Sequence, residues 1–497
     1  MEKVLKPFST KDKVGYMFGD FGNDFTFILS STILMKFYSD VMGVSVGLVG
    51  IMMMVEAFDE WDSAKCRNGY HRFFDEWAEK DLINMIHHYR NNPSVVMWSI
   101  GNEVPSQWKV GGYKVASFLQ DICHREDPTR VVTCGMDQTE TIMKNGFIDV
   151  LDVVGINYQP WKYIAVKERT SQGLVLGSET ASTVSSRGVY KFPAVKRFSA
   201  SDPDHHSNAY EVDACDWSNM PDVDFAMEDD YPWVIGQFVW TGFDYLGEPT
   251  PYDRDAWPNH SSMFGIMDLA SIPKDRYWLY RSKWNTEKPT LHVLPHWNWK
   301  GYEGMEIPVH VFTSYPSAEL FVNGKSYGKR TKLVPQSKSV GDRMENTELR
   351  YRLIWDKVVY QPGELKVVAY DNDGNARDTV YRKTAGRAHH IELSTDTVVL
   401  SADGKDLAYV TAVVVDRHGV PCPLASDMMN FNVSGAGIFR ATANGDPTCL
   451  LPFHEPRMNA FNGKLTVIVQ AGEQSGLIKL EVTSNGLGKA SIIIPVK

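Results

Sequence analysis

The chain shows three successive patterns of hydrophobic and polar positions. Residues 25–35 and 41–55 are strongly apolar runs. After them, short apolar runs alternate with segments of helical periodicity, and beyond residue 290 apolar and polar residues alternate with a period of two. The first pattern is typical of apolar helices, the second of an α/β fold and the third of antiparallel sheets. We therefore predict four domains, with the bounds 1–55, 56–290, 291–386 and 387–497.

The second segment predicts a parallel sheet or barrel. Ahead of Pro93, apolar residues recur at helical spacing, and the strand-like run VVMWSIGN follows. Further apolar runs begin near residues 130, 148, 173 and 232, separated by longer connections. Strands buried on both faces have continuous runs of Val, Ile and Leu, and helices between them favour parallel pairing. The apolar positions of the predicted helix are Phe74, Trp77, Leu82, Met85 and Ile86.

The third segment predicts two β-sandwich domains of immunoglobulin-like type. Asn323 and Gly324 stand between two alternating runs, which is a strong signal for a two-residue hairpin. The segment DNDGN (371–375) resembles a calcium loop only superficially, because it lacks the terminal Glu and lies between strand-like runs. We interpret it as a hairpin turn.

Polar side chains stand where the apolar strands of the second segment end. In a parallel sheet the chemistry belongs at the carboxyl ends of the strands. A carboxylate at the end of a buried strand costs several kcal/mol unless it is solvated, paired or used. Two such carboxyls suit glycosidic bond cleavage, since one can protonate the leaving oxygen while the other meets the positive charge on the anomeric carbon. The residues at these strand ends are Asn102, Glu103, Asn157, Tyr158, Ser178, Glu179, Trp240 and Asp244.

The segments that carry these residues resemble glycoside hydrolase family 2. MWSIGNE and LGSETAS look like its catalytic pair, and EAFDEW and FVWTGFDYLGEPTPY fit its β-galactosidase-type members. The resemblance runs from about residue 56 to the end of the chain. It implies a retaining exo-β-glycosidase, with β-galactosides as the favoured substrates. Glu103 would be the general acid/base after the fourth barrel strand, and Glu179 the nucleophile after the seventh.

The same resemblance assigns roles to the other strand-end residues. It implies that Asn102 contacts the sugar 2-hydroxyl, that Tyr158 orients the nucleophile and that Trp240 forms a stacking wall. Asp244 is a further substrate-binding candidate. No cofactor is expected, and the carbohydrate is the expected partner.

The start of the chain resembles a different family. KPFSTKDKVGYMFGDFGND and the apolar runs after it are similar to the start of sugar:cation symporters of the glycoside, pentoside and hexuronide family. Each run is shorter than the roughly 18 to 20 residues of a spanning helix. Three interpretations of these runs therefore stay open: a signal anchor, two helices of a larger membrane protein, or core elements of a soluble domain. Membrane contact through residues 14–55 would imply a periplasmic or anchored protein, and its absence a cytoplasmic one.

Parts of the family 2 architecture have no counterpart in the sequence. The family's sugar-binding and immunoglobulin-like domains ahead of the barrel are not found, and only GIMMMV (50–55) suits the third barrel strand. We therefore expect an incomplete (β/α)8 TIM barrel followed by the two sandwiches, an α/β plus all-β chain. Unpaired barrel edges would impair catalysis. The alternative is a catalytically inactive sugar-binding or membrane-tethered chimeric fragment.

Composition and short motifs argue against several other kinds of partner and site. A formal net charge of −10 over 497 residues argues against a nucleic-acid partner. The six cysteines include no CxxC, and adjacent histidines such as His87 and His88 point to different faces, so no metal site is expected. Ser45 in GVSVG matches a hydrolase pattern but lacks the strand and helix around it. Homo-oligomer formation stays open.

Overall fold

A six-stranded parallel sheet organises the first part of the chain, in a computed structural model that describes residues 53–252 and 255–497. Its strands lie in the order β1-β2-β3-β4-β5-β8, so β1 and β8 are the edges of the described sheet. Strands β6 and β7 pair separately in the long connection after β5. The strands of this part are β1 (Met53–Glu56), β2 (Val95–Asn102), β3 (Val131–Met136), β4 (Val154–Asn157), β5 (Val175–Thr180), β6 (Arg197–Phe198), β7 (Asp213–Ala214) and β8 (Val234–Val239).

The sheet is a partial parallel barrel, as the apolar runs predicted. All five neighbouring pairs are parallel. The strand predicted within GIMMMV is present as β1 and pairs with β2. The apolar runs therefore mark these strands, and β2, β4, β5 and β8 end at or next to the polar residues singled out above.

Helices follow most of these strands and cover one face of the sheet. Their bounds are α1 (Phe74–Tyr89), α2 (Tyr113–Glu126), α3 (Thr139–Asn145), α4 (Tyr163–Arg169), α5 (Pro221–Asp230) and α6 (Asp275–Trp284). The buried core between sheet and helices includes Trp61, Trp98 and Phe147. Each large apolar side chain buried there stabilises the fold by about 1.5–3 kcal/mol.

The buried face of α1 differs from the predicted one. Phe74, Leu82 and Ile86 are buried as expected, and Ala78 completes an i, i+4 series. The side chain of Trp77, however, is 43% exposed. Trp77 lies next to that series rather than on it, so the apolar positions at helical spacing do not all share the buried face of this helix.

Residues 291–383 form two antiparallel sheets around one core. Asn323 and Gly324 join β11 to β12 with φ values of 49° and 82°, which confirms the predicted hairpin. Asp371–Asn375 joins β14 to β15, which confirms the turn predicted in DNDGN. One sheet has the order β13-β10-β9 and the other β12-β11-β14-β15. The strands are β9 (Leu291–Leu294), β10 (Glu306–Thr313), β11 (Ser317–Val322), β12 (Lys325–Thr331), β13 (Arg352–Val359), β14 (Glu364–Tyr370) and β15 (Ala376–Lys383).

Residues 388–496 repeat this arrangement with two four-stranded antiparallel sheets. Their orders are β16-β17-β21-β19 and β20-β18-β22-β23. Alternate residues of the strands point into a shared apolar core. The strands are β16 (Ala388–Ser394), β17 (Leu407–Asp416), β18 (Met428–Gly435), β19 (Gly437–Ala443), β20 (Arg457–Asn459), β21 (Lys464–Ala471), β22 (Gly476–Ser484) and β23 (Gly488–Val496).

The apolar N-terminal runs fall largely outside the described residues. Residues 25–35 and 41–52 are not described, and residues 53–55 belong to β1. Across residues 53–252 and 255–497, no helix has the length and apolar character needed to cross a membrane. The expected membrane contact concerns residues 14–55, of which residues 14–52 lie outside the described part of the chain.

Candidate active site

The carboxyl ends of β2, β4 and β5 bring the candidate residues to one edge of the sheet. Glu103 directly follows β2, and its backbone N–H donates to the oxygen of Gly135 at 2.8 Å. Tyr158 directly follows β4, and its N–H donates to the oxygen of Glu179 at 2.8 Å. Parallel strands end at a common edge, so the side chains that follow them converge there.

Two of these residues have left-handed backbone conformations. Glu103 has a φ of 45° and Tyr158 a φ of 58°. For residues other than glycine such angles are uncommon, cost of order 1–3 kcal/mol and cluster at functional sites. The strands therefore end abruptly at both positions, and the side chains turn into the space above the sheet.

Glu103 and Glu179 each receive a hydrogen bond from one end of β4. Asn157 Nδ2 donates to Glu103 Oε1 at 3.0 Å. The hydroxyl of Tyr158 donates to Glu179 Oε2. The structure thus places Tyr158 where the sequence prediction required it, against the carboxyl of Glu179.

Both glutamates line one cleft of about 460 Å³. Among its described lining residues are five carboxylates and one cation, Lys65. Lys65 Nζ lies 2.7 Å from Asp59 Oδ1 and 4.0 Å from Glu103 Oε2. The lining residues are Asp59, Lys65, Asn102, Glu103, Asp137, Gln138, Asn157, Tyr158, Gln159, Glu179, Ser182, Trp217, Trp240, Glu248 and Phe264.

Burial and neighbouring carboxylates raise the pKa values of both glutamates. Burial raises the pKa of Glu103, the Asn157 donor opposes this, and the carboxylate of Asp137 adds to it. Burial raises the pKa of Glu179 to about 8, against the hydrogen bond from Tyr158 and with a contribution from the charge of Glu103. A raised pKa suits a proton donor at Glu103, whereas a nucleophile at Glu179 must first lose its proton.

Asn102 and Trp240 also reach the cleft. Asn102 Oδ1 accepts from Asn157 Nδ2 at 2.9 Å. The ring of Trp240 lies edge-on to Tyr245, with centroids 6.1 Å apart. The hydroxyl of Tyr245 in turn donates to Glu248. An aromatic wall with hydrogen-bonding groups beside it is the kind of surface on which a sugar ring can lie.

Asp244 does not line the cleft. Its carboxyl is buried, accepts from the backbone N–H of Gly265 at 2.8 Å and lies 2.7 Å from Lys274 Nζ. Lys274 is itself buried and also donates to the oxygen of Ser185 at 2.8 Å. The structure therefore places Asp244 in a buried ion pair with Lys274 and not among the residues that line the cleft, where the sequence prediction put it.

Several cleft residues were not found from the sequence. Asp137 directly follows β3, so the strand-end signal that found Glu103 applies to it equally. Lys65 lies in a loop without periodicity. That loop is held by the buried Glu60 carboxylate, which accepts the backbone N–H of Lys65 at 2.6 Å and that of His71 at 2.8 Å. Such loop contacts leave no pattern in a sequence.

No metal centre is evident in the part of the chain that the structure describes. Within it, no group of three or more His, Cys, Asp and Glu side chains is arranged to hold a metal ion. The thiols of Cys66, Cys123, Cys134, Cys422 and Cys449, all in this part, form no disulfide.

Two regions of the chain match models of one glycosidase family. Residues 53–190 match the TIM barrel domain of glycosyl hydrolases family 2, and residues 391–493 match the glycoside hydrolase family 2 C-terminal domain 5. The chain carries two domains of glycoside hydrolase family 2. Between these family 2 domains, residues 304–377 match a domain of unknown function.

Relatives of the family 2 domains cover most of this chain. The β-galactosidase BoGH2A of Bacteroides ovatus is 36% identical, over 90% of this chain and 54% of its own length. A putative β-glucuronidase of Formosa agariphila is 28% identical, over 80% of this chain and 38% of its own. A solved β-glycosidase from Bacteroides vulgatus matches with a TM-score of 0.75 at 30% identity, over 90% of this chain and 56% of its own. The chain thus spans about half the length of the relatives it matches.

A separate short match carries the symporter resemblance. An uncharacterized symporter, YjmB of Bacillus subtilis, is 42% identical over 50 residues, which is 10% of this chain and 11% of that protein. The resemblance of the N-terminal segment to a symporter is therefore confirmed, and it concerns a small part of both chains.

Proposed function

We propose that this chain is a retaining exo-β-glycosidase that acts on β-galactosides. One observation carries the proposal: Glu103, directly after β2, and Glu179, next to the last residue of β5, line one cleft and each receive a hydrogen bond from the same end of β4. The matches to models of family 2 domains also support this proposal.

The proposed reaction has two displacements. The carboxylate of Glu179 attacks the anomeric carbon, while Glu103 gives its proton to the departing glycosidic oxygen. The resulting glycosyl ester at Glu179 is then attacked by water, whose proton passes back to Glu103. The sugar leaves with its original β configuration, and both glutamates return to their starting states.

The charges of the cleft favour a neutral sugar over a uronic acid. The carboxylate of a glucuronide would enter a cleft whose described lining carries three acidic side chains besides the two glutamates, namely Asp59, Asp137 and Glu248. Lys65, the one cation of that described lining, already lies 2.7 Å from Asp59. Like charges in a partly buried site repel strongly. A galactoside brings no charge, which supports the galactosidase alternative among the activities named for the relatives.

A second candidate function is sugar binding without turnover. Its support is the pKa of Glu179, which burial raises to about 8, so that the proposed nucleophile is mostly protonated at neutral pH. β1 and β8 are edges of the described sheet, and unpaired barrel edges, which would impair catalysis, also favour this candidate. This candidate predicts that galactose analogues bind the chain but are not hydrolysed.

Hydrolysis of aryl glycosides distinguishes these candidates. We expect the purified chain to release nitrophenol from the aryl β-galactoside faster than from the β-glucuronide or β-mannoside. Replacement of Glu179 by Gln should lower kcat by at least about a thousandfold, because the amide cannot form the glycosyl ester.

The matched control is Glu392→Gln, which neutralises an exposed carboxylate on β16 outside the cleft. This variant should hydrolyse the galactoside at the rate of the unmodified chain. Equal turnover by the Glu179→Gln variant would remove the assignment, and binding without any release of nitrophenol would favour the second candidate.

A further inference from the structure

Asn157 is a fully buried amide that faces both residues at the end of β2. Its Nδ2 donates to Glu103 Oε1 at 3.0 Å and to Asn102 Oδ1 at 2.9 Å. A side-chain amide nitrogen carries two N–H groups, so these two bonds use both of them. With no exposed surface, Asn157 cannot exchange these partners for solvent.

Ser178 determines which way the amide of Asn157 faces. Ser178 Oγ donates to Asn157 Oδ1 at 2.6 Å, and the serine is itself buried. With the amide oxygen held by this hydroxyl, the amide nitrogen faces the carboxyl of Glu103. The reversed amide would put an oxygen against both Glu103 and Asn102, where each of them offers an acceptor.

We propose that Asn157 is a positioning residue for Glu103, and that Ser178 acts through Asn157 by fixing its amide. Ser178 directly precedes Glu179 on β5, and Asn157 directly precedes Tyr158. The pairs Asn157–Tyr158 and Ser178–Glu179 therefore exchange two hydrogen bonds. Ser178 donates to Asn157, which positions Glu103, and Tyr158 donates to Glu179. The role of this arrangement in turnover rests on the proposed glycosidase function.

The Asn157 donor stabilises the ionised form of Glu103. It acts against the burial of this carboxyl and against the carboxylates of Asp137 and Asp59, which raise the pKa of Glu103. Lys65 Nζ, 4.0 Å away, assists it. A group that must both give up a proton and take one back works best with a pKa near the working pH. Asn157 thus limits how far the pKa of Glu103 rises and holds the carboxyl in one orientation.

Titration of Glu103 in the full chain tests the proposal without requiring turnover. Carboxyl carbons of glutamate are labelled with ¹³C, and the Glu103 resonance is assigned by its loss in Glu103→Gln. We expect the titration midpoint of Glu103 to lie about one pH unit higher in Asn157→Ala. Ser178→Ala should raise it by less, since the amide stays but is free to turn. The matched control is Tyr158→Phe, which removes the donor to Glu179 and should leave the titration of Glu103 in place.

Kinetics add a second readout that a merely structural role would not give. Dinitrophenolate leaves without a proton from Glu103, whereas phenolate needs one. Asn157→Ala should therefore lower kcat/KM for the phenyl galactoside at least about tenfold more than for the dinitrophenyl galactoside.

An unchanged pKa of Glu103 in Asn157→Ala would overturn the proposal. If that variant does not fold, an unchanged pKa in Ser178→Ala overturns it equally. A chain that shows the expected titrations and hydrolyses no galactoside would instead refute the proposed function and leave the positioning role standing.

Discussion

At the scale of single residues, Glu103 and Glu179 share a cleft but not their surroundings. Glu103 is bonded to an amide and has Lys65 4.0 Å away, whereas Glu179 is bonded to the hydroxyl of Tyr158. Burial raises the pKa values of both, that of Glu179 to about 8. In the proposed reaction Glu179 must attack as a carboxylate, so its protonation state limits the rate at neutral pH.

The pH dependence of hydrolysis should show this limit. With dinitrophenyl β-galactoside, which needs no proton from Glu103, kcat/KM should rise with pH and level off above about 8. The sign follows from the role, because a carboxyl whose pKa is raised stays protonated to higher pH and the protonated form cannot attack. Tyr158→Phe removes a donor that favours the carboxylate and should move this rise to higher pH.

A rate that is already constant from about pH 5 upward would contradict this account. It would show that Glu179 is ionised at neutral pH, close to the ordinary range of a glutamate.

The sequence predicted the two glutamates and missed the charges around them, for a physical reason. Glu103 and Glu179 stand out because a carboxyl directly after a buried apolar run is costly unless it is used. Lys65 reaches the cleft from a loop that Glu60 holds together, and no periodic pattern records such a contact. Asp244 also comes after a strand, but Lys274, 30 residues further along the chain, pairs with it, and Asp244 does not line the cleft.

At the scale of elements, glycines make room for the polar side chains above the sheet. Gly135 lies in β3, between the strands that carry Asn102 and Asn157. A Cβ at this position would lie 2.7 Å from Asn102 Oδ1 and 3.0 Å from Asn157 Oδ1. The first distance is shorter than real Cβ contacts and the second is tighter than most of them, so a side chain at residue 135 would force Asn102, and to a lesser extent Asn157, to move.

Replacement of Gly135 by Ala should therefore disturb both stability and activity. We expect the free energy of unfolding to fall by about 1–3 kcal/mol, as for overpacking of a filled core. Displacement of Asn157 from Glu103 should lower kcat/KM by about a hundredfold. Denaturant titration and hydrolysis of an aryl galactoside measure the two effects.

The control is Gly242→Ala, since a Cβ at that position would meet nothing within 4 Å. Its free energy of unfolding should stay close to that of the unmodified chain. A Gly135→Ala variant that is as stable and as active as this control would show that the amide network is not confined by β3.

At the scale of the whole molecule, the last sandwich supports the connection that follows β5. Arg187 Nη2 donates to the oxygen of Asn444 at 2.7 Å, and Asn462 Nδ2 donates to the oxygen of Arg187 at 2.7 Å. Arg187 Nε also lies 2.5 Å from the buried carboxylate of Asp268. The same connection carries Trp217 into the cleft. The sandwich that ends the chain thus helps to shape the site, although none of its residues lines the cleft.

The predicted architecture agrees with this description at a coarse level. Continuous apolar runs identified the parallel strands, and alternation identified the antiparallel ones, since burial on two faces or on one leaves these patterns. The contacts between Arg187 and the last sandwich join residues more than 250 positions apart. Local patterns carry no information about such pairs, so the sequence could not show that these two parts meet.

Trapping of the glycosyl ester tests the central claim most directly. The full chain is incubated at about pH 8 with a 2-deoxy-2-fluoro-β-galactoside that has a good leaving group, and the labelled peptide is identified by mass spectrometry. We expect one added fluorogalactosyl group, on Glu179, and none in the Glu179→Gln variant. A label on another residue, or a chain that binds galactose analogues and forms no ester, would contradict the assignment of Glu179 as the nucleophile.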